Sequence, residues 1–223
     1  MGEAIGDMLP LAVGVAISPF PIIAVILMLF SGRARQNSLA FMVAWIVGIS
    51  AALSILIAVA STQDLSTAGP SNTAAWIELI LGLLLMLASV RRWRTRPKSG
   101  EEAKLPGWMA RIDTLKPGAA LGLGLLLSAL NPKNLLLIAG GAVVIAQADL
   151  GSTDTAITVV VFTLIGACTV VIPTLGYLFF GRKVQPALDG AKAWLSANNT
   201  AVMAVLLLVI GVTLFGKGIG ALT

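Results

Sequence analysis

Six long apolar runs constrain this chain more than any other feature of its sequence. A helix of about 20 apolar residues crosses the roughly 30 Å hydrocarbon core of a bilayer. The chain has 223 residues, of which 57% are hydrophobic and only 11% charged, whereas a soluble domain carries roughly 25% charged residues. The sequence therefore predicts an all-α integral membrane protein with six transmembrane helices, near 9–30, 38–60, 74–90, 118–148, 155–180 and 200–221.

The basic residues alternate between the predicted connections and indicate an orientation. The first connection holds Arg33 and Arg35, the third holds eight basic residues and the fifth three, whereas the second and fourth hold none. Because basic loops remain in the cytoplasm, we expect a multi-pass protein of the cytoplasmic (inner) membrane with both termini outside. The same distribution accounts for the net charge of +5, so no nucleic-acid partner is expected.

The two halves of the chain share one order of landmarks. Ser18-Pro19 in the first span corresponds to Asn131-Pro132 in the fourth span, each between apolar stretches. Three spans per half is an odd number, so the second half must enter the membrane from the opposite side. The sequence thus predicts two inverted three-helix repeats at 1–90 and 118–223, joined by a basic cytoplasmic loop at 91–117.

Proline at matching positions predicts that helices 1 and 4 are broken. A proline removes one main-chain donor and leaves carbonyl groups unpaired, which lipid tolerates only where protein, water or substrate satisfies them. Paired broken helices are typical of transporters with a binding site at the bilayer midplane, although a simple packing kink is the alternative. The candidate substrate-binding residues are Ser18, Pro19, Pro21, Asn131, Pro132, Lys133 and Asn134.

Lys133 is the most informative of these residues. It lies about 15 residues into the fourth apolar run, where a charge costs about 3 kcal/mol and should therefore face a cavity or a partner. The alternative is that its side chain extends to the membrane interface. No carboxylate lies at a matching depth in the sequence, so a deep lysine favours an anionic amphiphilic ligand with a phosphate, sulfate or carboxylate group.

The loop at 91–117 combines a basic cluster with an amphipathic segment. Its first part, RRWRTRPK, should attract anionic membrane lipids by about 1 kcal/mol per charge. Helical spacing of apolar residues then predicts a short helix on the membrane surface, formed by Leu105, Trp108, Met109, Ile112 and Leu115. Both features serve either as topology anchors or as a docking site for an envelope-lipid biosynthesis partner. The sequence also leaves a homo-oligomer open.

The motifs AISPFP at 16–21 and LNPKNL at 130–135, within the repeated three-span architecture, resemble those of the lysine-exporter (LysE) superfamily. Within it the chain looks most like the GAP family of peptidoglycolipid- and sulfolipid-addressing proteins. The resemblance implies movement of a cell-envelope glycolipid or its precursor across the inner membrane. It implies the same seven residues as the conduit, namely Ser18, Pro19, Pro21, Asn131, Pro132, Lys133 and Asn134.

Three functions stay open from the sequence. The first is export of an envelope lipid, the second is export of an amino-acid-like small solute, and the third is a membrane scaffold for an envelope-lipid synthase. With no histidine and only Cys168, the chain is not expected to bind or export a metal. No nucleophile–base pair or nucleotide-binding loop is present, so neither an enzyme nor a cofactor is expected.

Overall fold

The computed structural model describes residues 1–62, 72–94, 112 and 114–222. Within these ranges the chain forms helices and no strand, in agreement with the predicted all-α class. A short 3-10 turn, Gly181–Val184, precedes the last helix. The helices are α1 Gly2–Ala16, α2 Pro19–Phe30, α3 Ala34–Thr62, α4 Asn72–Arg94, α5 Pro117–Ala129, α6 Pro132–Gln147, α7 Ser152–Phe180 and α8 Gln185–Leu222.

Several of these helices are long and apolar enough to cross a membrane. Three qualify individually, at Ala34–Ser61, Ser152–Phe180 and Thr200–Gly220. The bent pairs α1–α2 and α5–α6 qualify jointly, so the described residues provide three spans, or up to five if each bent pair is one span. The helix α4 contains the predicted span 74–90, but it does not qualify as a span by itself or in a pair. The protein is all-helical in the described ranges, and the count of six transmembrane helices stays a prediction.

Large apolar side chains cover much of the outer surface. Leu130, Ile172 and Phe179 are 70%, 67% and 77% exposed, respectively. A water-soluble monomer rarely exposes continuous apolar surface on this scale. These side chains therefore suit contact with lipid tails, as the apolar composition predicts.

Both predicted helix breaks are present. The chain bends by 50° between α1 and α2 and by 56° between α5 and α6. Ser18 and Asn131 have extended backbone conformations, and each is followed by a proline at the first position of the next helix. Proline suits that position because its fixed φ is helical and its missing N–H would have no helical partner there. The prolines thus begin new helices after a break.

The helix α2 forms the centre of the fold. Its sequence, PFPIIAVILMLF, contains no polar side chain, and nine of its twelve residues are buried. A helix that is apolar on every face is stable only when other helices surround it. Here α3, α7 and α8 pack against it, and the stacked rings of Phe41 and Trp45 in α3 belong to the same core.

The helices α4 and α8 pack closely against each other at glycine residues. A Cβ atom added to Gly82 would lie 2.6 Å from the main-chain nitrogen of Phe215, and one added to Gly218 would lie 2.8 Å from the main-chain oxygen of Ala75. The two backbones are therefore in direct contact at these positions. Small residues allow such close approach between membrane helices, where dispersion forces drive association.

The end of the predicted cytoplasmic loop packs against the protein. Ile112 is fully buried and Leu115 packs beside the core. The Asn37 side-chain amide donates a hydrogen bond of 3.0 Å to the main-chain oxygen of Leu115. These two residues of the predicted amphipathic segment therefore contact protein. Leu105, Trp108 and Met109 lie outside the described residues.

Candidate functional site

The two helix breaks meet inside the protein. The Ser18 hydroxyl, at the first break, donates a hydrogen bond of 2.9 Å to the side-chain oxygen of Asn134, just after the second break. Ser18 is 3% exposed and Asn134 is fully buried. Lys133 contacts Ser18 as well. We refer to Ser18, Lys133 and Asn134 as the polar junction, because these three side chains bring together motifs more than 100 residues apart in the sequence.

The Lys133 ammonium group reaches the end of α1. Its Nζ atom donates to the main-chain oxygen of Gly14 at 2.6 Å, to the hydroxyl of Ser18 at 2.7 Å and to the main-chain oxygen of Ile17 at 3.3 Å. The last carbonyl groups of a helix lack helical partners and carry the negative end of the helix dipole. Lys133 therefore caps the C-terminal end of α1.

All three of these acceptors are neutral oxygens. Lys133 forms no ion pair with any of the described residues. The ion pair found among them joins Lys217 to Asp7 near the helix ends. Among the described residues, the partners of the Lys133 side chain are thus carbonyl and hydroxyl oxygens that carry only partial charges. A phosphate or sulfate oxygen would form a stronger, charge-assisted hydrogen bond with the same ammonium group.

Other side chains satisfy further free groups at the two breaks. The Thr169 hydroxyl, from α7, donates to the main-chain oxygen of Ala16 at 2.6 Å. The Asn134 amide donates to the main-chain oxygen of Leu127, in the last turn of α5, at 2.9 Å. The Asn131 side chain accepts from the main-chain nitrogen of Lys133 at 3.1 Å and so caps α6.

Sequence reasoning missed the contribution of Thr169. A single threonine in an apolar span carries no distinctive signal, because its hydroxyl usually bonds to its own helix. Thr158 and Thr174, elsewhere in α7, do bond to carbonyl groups of that helix. Only the packing of α7 against α1 assigns Thr169 to the break.

The seven predicted site residues occupy different positions. Ser18, Lys133 and Asn134 form the polar junction, whereas Asn131 has a local capping role. Pro19 and Pro21 are buried in the first turn of α2. Pro132 is exposed on the outer surface. The structure therefore brings three of the seven side chains together, because Lys133 and Asn134 each bond to Ser18.

The two halves contribute different groups to the polar junction. The first break supplies acceptors for Lys133, namely the main-chain oxygens of Gly14 and Ile17 and the Ser18 oxygen, and its Ser18 hydroxyl also donates to Asn134. The second break supplies the Lys133 ammonium as a donor and the Asn134 side-chain oxygen as an acceptor. Because the corresponding residues in the two motifs differ, the breaks are complementary, and each satisfies polar groups that the other leaves free.

Two cavities lie towards the ends of the helices, outside the polar junction. One cavity of about 640 Å³ lies between α3, α6 and α7 and includes Ser61, Ser152 and Val160 in its lining. A second, of about 920 Å³, lies at the connection between α2 and α3. Neither is lined by a residue of the polar junction.

A family model described as Sap, sulfolipid-1-addressing protein, matches residues 8–220, which include both proline motifs. No curated protein and no solved structure matches the chain. The predicted likeness to a sulfolipid-addressing family is thereby confirmed, while the relation to the lysine-exporter superfamily stays a prediction. Because the match covers nearly the whole length, this chain belongs to the sulfolipid-1-addressing protein family.

Proposed function

We propose that this chain is an inner-membrane transporter that exports an anionic envelope lipid, such as a sulfated glycolipid or its precursor. The observation that carries the proposal is the Lys133 ammonium, which lies at a helix break within a predicted span and bonds only to neutral oxygens among the described residues. The family description supports a sulfolipid as the substrate class.

In this proposal the chain crosses the membrane six times as two inverted repeats with both termini outside. The similar bends of 50° and 56° support the repeat. The helix pairing also supports it, because α1 packs on α7 while its counterpart α5 packs on α3. The third helices of the two halves, α4 and α8, pack on each other.

The polar junction would act by exchanging hydrogen-bond partners. When a sulfate or phosphate group arrives, its oxygens replace the carbonyl oxygens of Gly14 and Ile17 on Lys133, because charge-assisted bonds are stronger. The end of α1 then loses its cap and can move relative to α6. The apolar tails of the lipid stay beside the exposed apolar helix faces, so only the head group crosses through protein.

The test compares envelope lipids among strains that differ only in this chain. The strains carry the wild type, Lys133→Met, Thr169→Val or no copy, with equal membrane abundance of the three proteins. Thr169→Val is the matched control, because it removes one hydrogen bond to the same end of α1 but keeps the ammonium group. We expect one anionic lipid class to leave the outer envelope in the Lys133→Met and deletion strains, while its precursor accumulates inside.

Other outcomes contradict the proposal in distinct ways. If Lys133→Met exports as well as the wild type, Lys133 does not contact the head group, and the scaffold function becomes the better explanation. If Thr169→Val fails as completely as Lys133→Met, the role of Lys133 is structural. If even the deletion leaves every lipid class unchanged, the chain does not export a lipid, and small-solute export becomes the leading hypothesis.

A further inference from the structure

A polar cavity lies at the inner end of α2, in the predicted cytoplasmic half of the protein. It has a volume of about 920 Å³, and its polar lining side chains are Ser31, Arg33, Arg35, Gln36 and Tyr177. The first four come from the connection between α2 and α3 and the first turn of α3, while Tyr177 comes from the last turns of α7. We refer to this feature as the arginine cavity.

The arginine cavity is electropositive, and the described residues that line it supply no counter-charge. Arg33 and Arg35 are both exposed, and neither forms an ion pair with a carboxylate of the described residues. Among the residues that the structure describes, none of those lining the cavity is an acid. A guanidinium group presents a planar fork of donors that matches sulfate or phosphate oxygens, and the N-terminal end of α3 adds its partial positive charge.

The depth of the cavity agrees with the head-group region of a bilayer. Ser18, at the first break, and Ser31, in the cavity, are separated by the twelve residues of α2, which span about 18 Å at 1.5 Å per residue. Half of the hydrocarbon core is about 15 Å thick. If the polar junction lies at the midplane, the arginine cavity therefore lies at the cytoplasmic surface of the membrane.

Exposed aromatic side chains follow the cavity residue Tyr177 at the end of α7. They are Phe179 and Phe180, which are 77% and 64% exposed. Such a combination of cationic groups and exposed aromatic rings suits a molecule that has a charged head and an apolar tail. A free inorganic anion has no apolar part that could contact the aromatic rings.

We propose that the arginine cavity is a loading site for the sulfate or phosphate ester head group of an amphiphile, which it binds before the head group reaches Lys133. This inference rests on the proposed function and adds where the substrate is first recognised. A topology anchor made of the same arginines would need only their charge. A loading site needs guanidinium groups at these two positions.

The test measures binding with full-length protein in phosphatidylcholine nanodiscs. The probe is a short-chain sulfated glycolipid below its micelle concentration, compared with the same glycolipid without sulfate and with inorganic sulfate. The proteins are the wild type, Arg33→Gln/Arg35→Gln, Lys133→Met and the charge-matched control Arg94→Gln/Lys116→Gln. The control removes two exposed cations, also on the predicted inner side, that do not line the cavity.

We expect the wild type and the control to bind the sulfated probe equally, and Arg33→Gln/Arg35→Gln to bind at least tenfold more weakly. Equal binding of the probe by that variant and by the control would overturn the loading site. Displacement of the probe by inorganic sulfate at a comparable concentration would overturn the choice of an amphiphile as ligand.

If the wild type binds the sulfated probe no better than the probe without sulfate, the proposed function itself fails. Arg33→Lys/Arg35→Lys keeps the charge that sets topology, and a several-fold loss is expected there even if the glutamine variant does not fold.

Discussion

The Lys133 ammonium nitrogen lies 2.6 Å from the main-chain oxygen of Gly14, a residue 119 positions earlier in the chain. This contact joins the start of α6 to the last turn of α1. It places an ammonium group where a broken helix would otherwise leave carbonyl groups unpaired. The helix break and the Lys133 side chain therefore stabilise each other.

Replacing Lys133 should weaken the fold as well as any transport. Lys133→Met keeps a long side chain but leaves the oxygens of Gly14 and Ile17 without this donor. A buried acceptor without a partner costs about 1–3 kcal/mol, so we expect a lower midpoint of thermal unfolding in detergent. Thr169→Val, which removes a single hydrogen bond, should lower it less. An unchanged midpoint for Lys133→Met would show that water or lipid replaces the ammonium group.

The hydrogen bond between Ser18 and Asn134 should appear as an energetic coupling across the two halves. In a double-mutant cycle of Ser18→Ala and Asn134→Leu, we expect a coupling of about 0.5–3 kcal/mol in the free energy of unfolding. Ser50→Ala is the control partner, because the Ser50 hydroxyl bonds within its own helix. Additive effects of Ser18→Ala and Asn134→Leu would contradict the contact.

The glycine contact between α4 and α8 predicts two opposite effects of alanine. Gly82→Ala places a methyl group 2.6 Å from the backbone of Phe215, and such overpacking should destabilise by about 1–3 kcal/mol. In α8, a Cβ atom added to Gly216 would meet nothing within 4 Å. Gly216→Ala should therefore be neutral or stabilise the protein by up to about 1 kcal/mol through helix propensity. Limited proteolysis in detergent measures both, and equal resistance of the two variants would contradict the close packing.

The Asp7–Lys217 ion pair should contribute little to stability despite its short distance of 2.9 Å. Asp7 and Lys217 are 51% and 34% exposed, and exposed ion pairs contribute at most about 1 kcal/mol. We expect Asp7→Asn to change the free energy of unfolding by less than this, with an effect that disappears at high salt. A loss as large as that of Lys133→Met would mean that the pair is shielded from water.

Chemical labelling can test the predicted orientation. Cys168 is the only cysteine, so Cys168→Ser provides a background for single-cysteine variants. Both Ala148 and Lys183 are exposed near helix ends on opposite predicted sides. In intact cells, a membrane-impermeant maleimide should label Ala148→Cys and leave Lys183→Cys unlabelled until the cells are opened. The reverse pattern would invert the topology.

Much of the architecture follows from local chemistry that is readable in the sequence. Ser18-Pro19 and Asn131-Pro132 predicted the two helix breaks correctly, because proline removes a main-chain donor and disfavours a continuous helix. Proline alone does not decide a break, since α1 and α7 continue through Pro10 and Pro173. The apolar composition predicted a membrane protein, and helices were expected because lipid excludes unpaired main-chain groups. The third apolar run was less decisive, and the described part of the structure supports up to five spans.

The sequence by itself determined where the helices break and which polar side chains accompany the breaks. Only the tertiary structure decided what those side chains contact. It placed Lys133 on the carbonyl groups of α1, added Thr169 to the same helix end and left Pro132 on the surface. The physical reason is that a break depends on residues adjacent in the chain, whereas a cap across more than 100 residues depends on how complete helices pack.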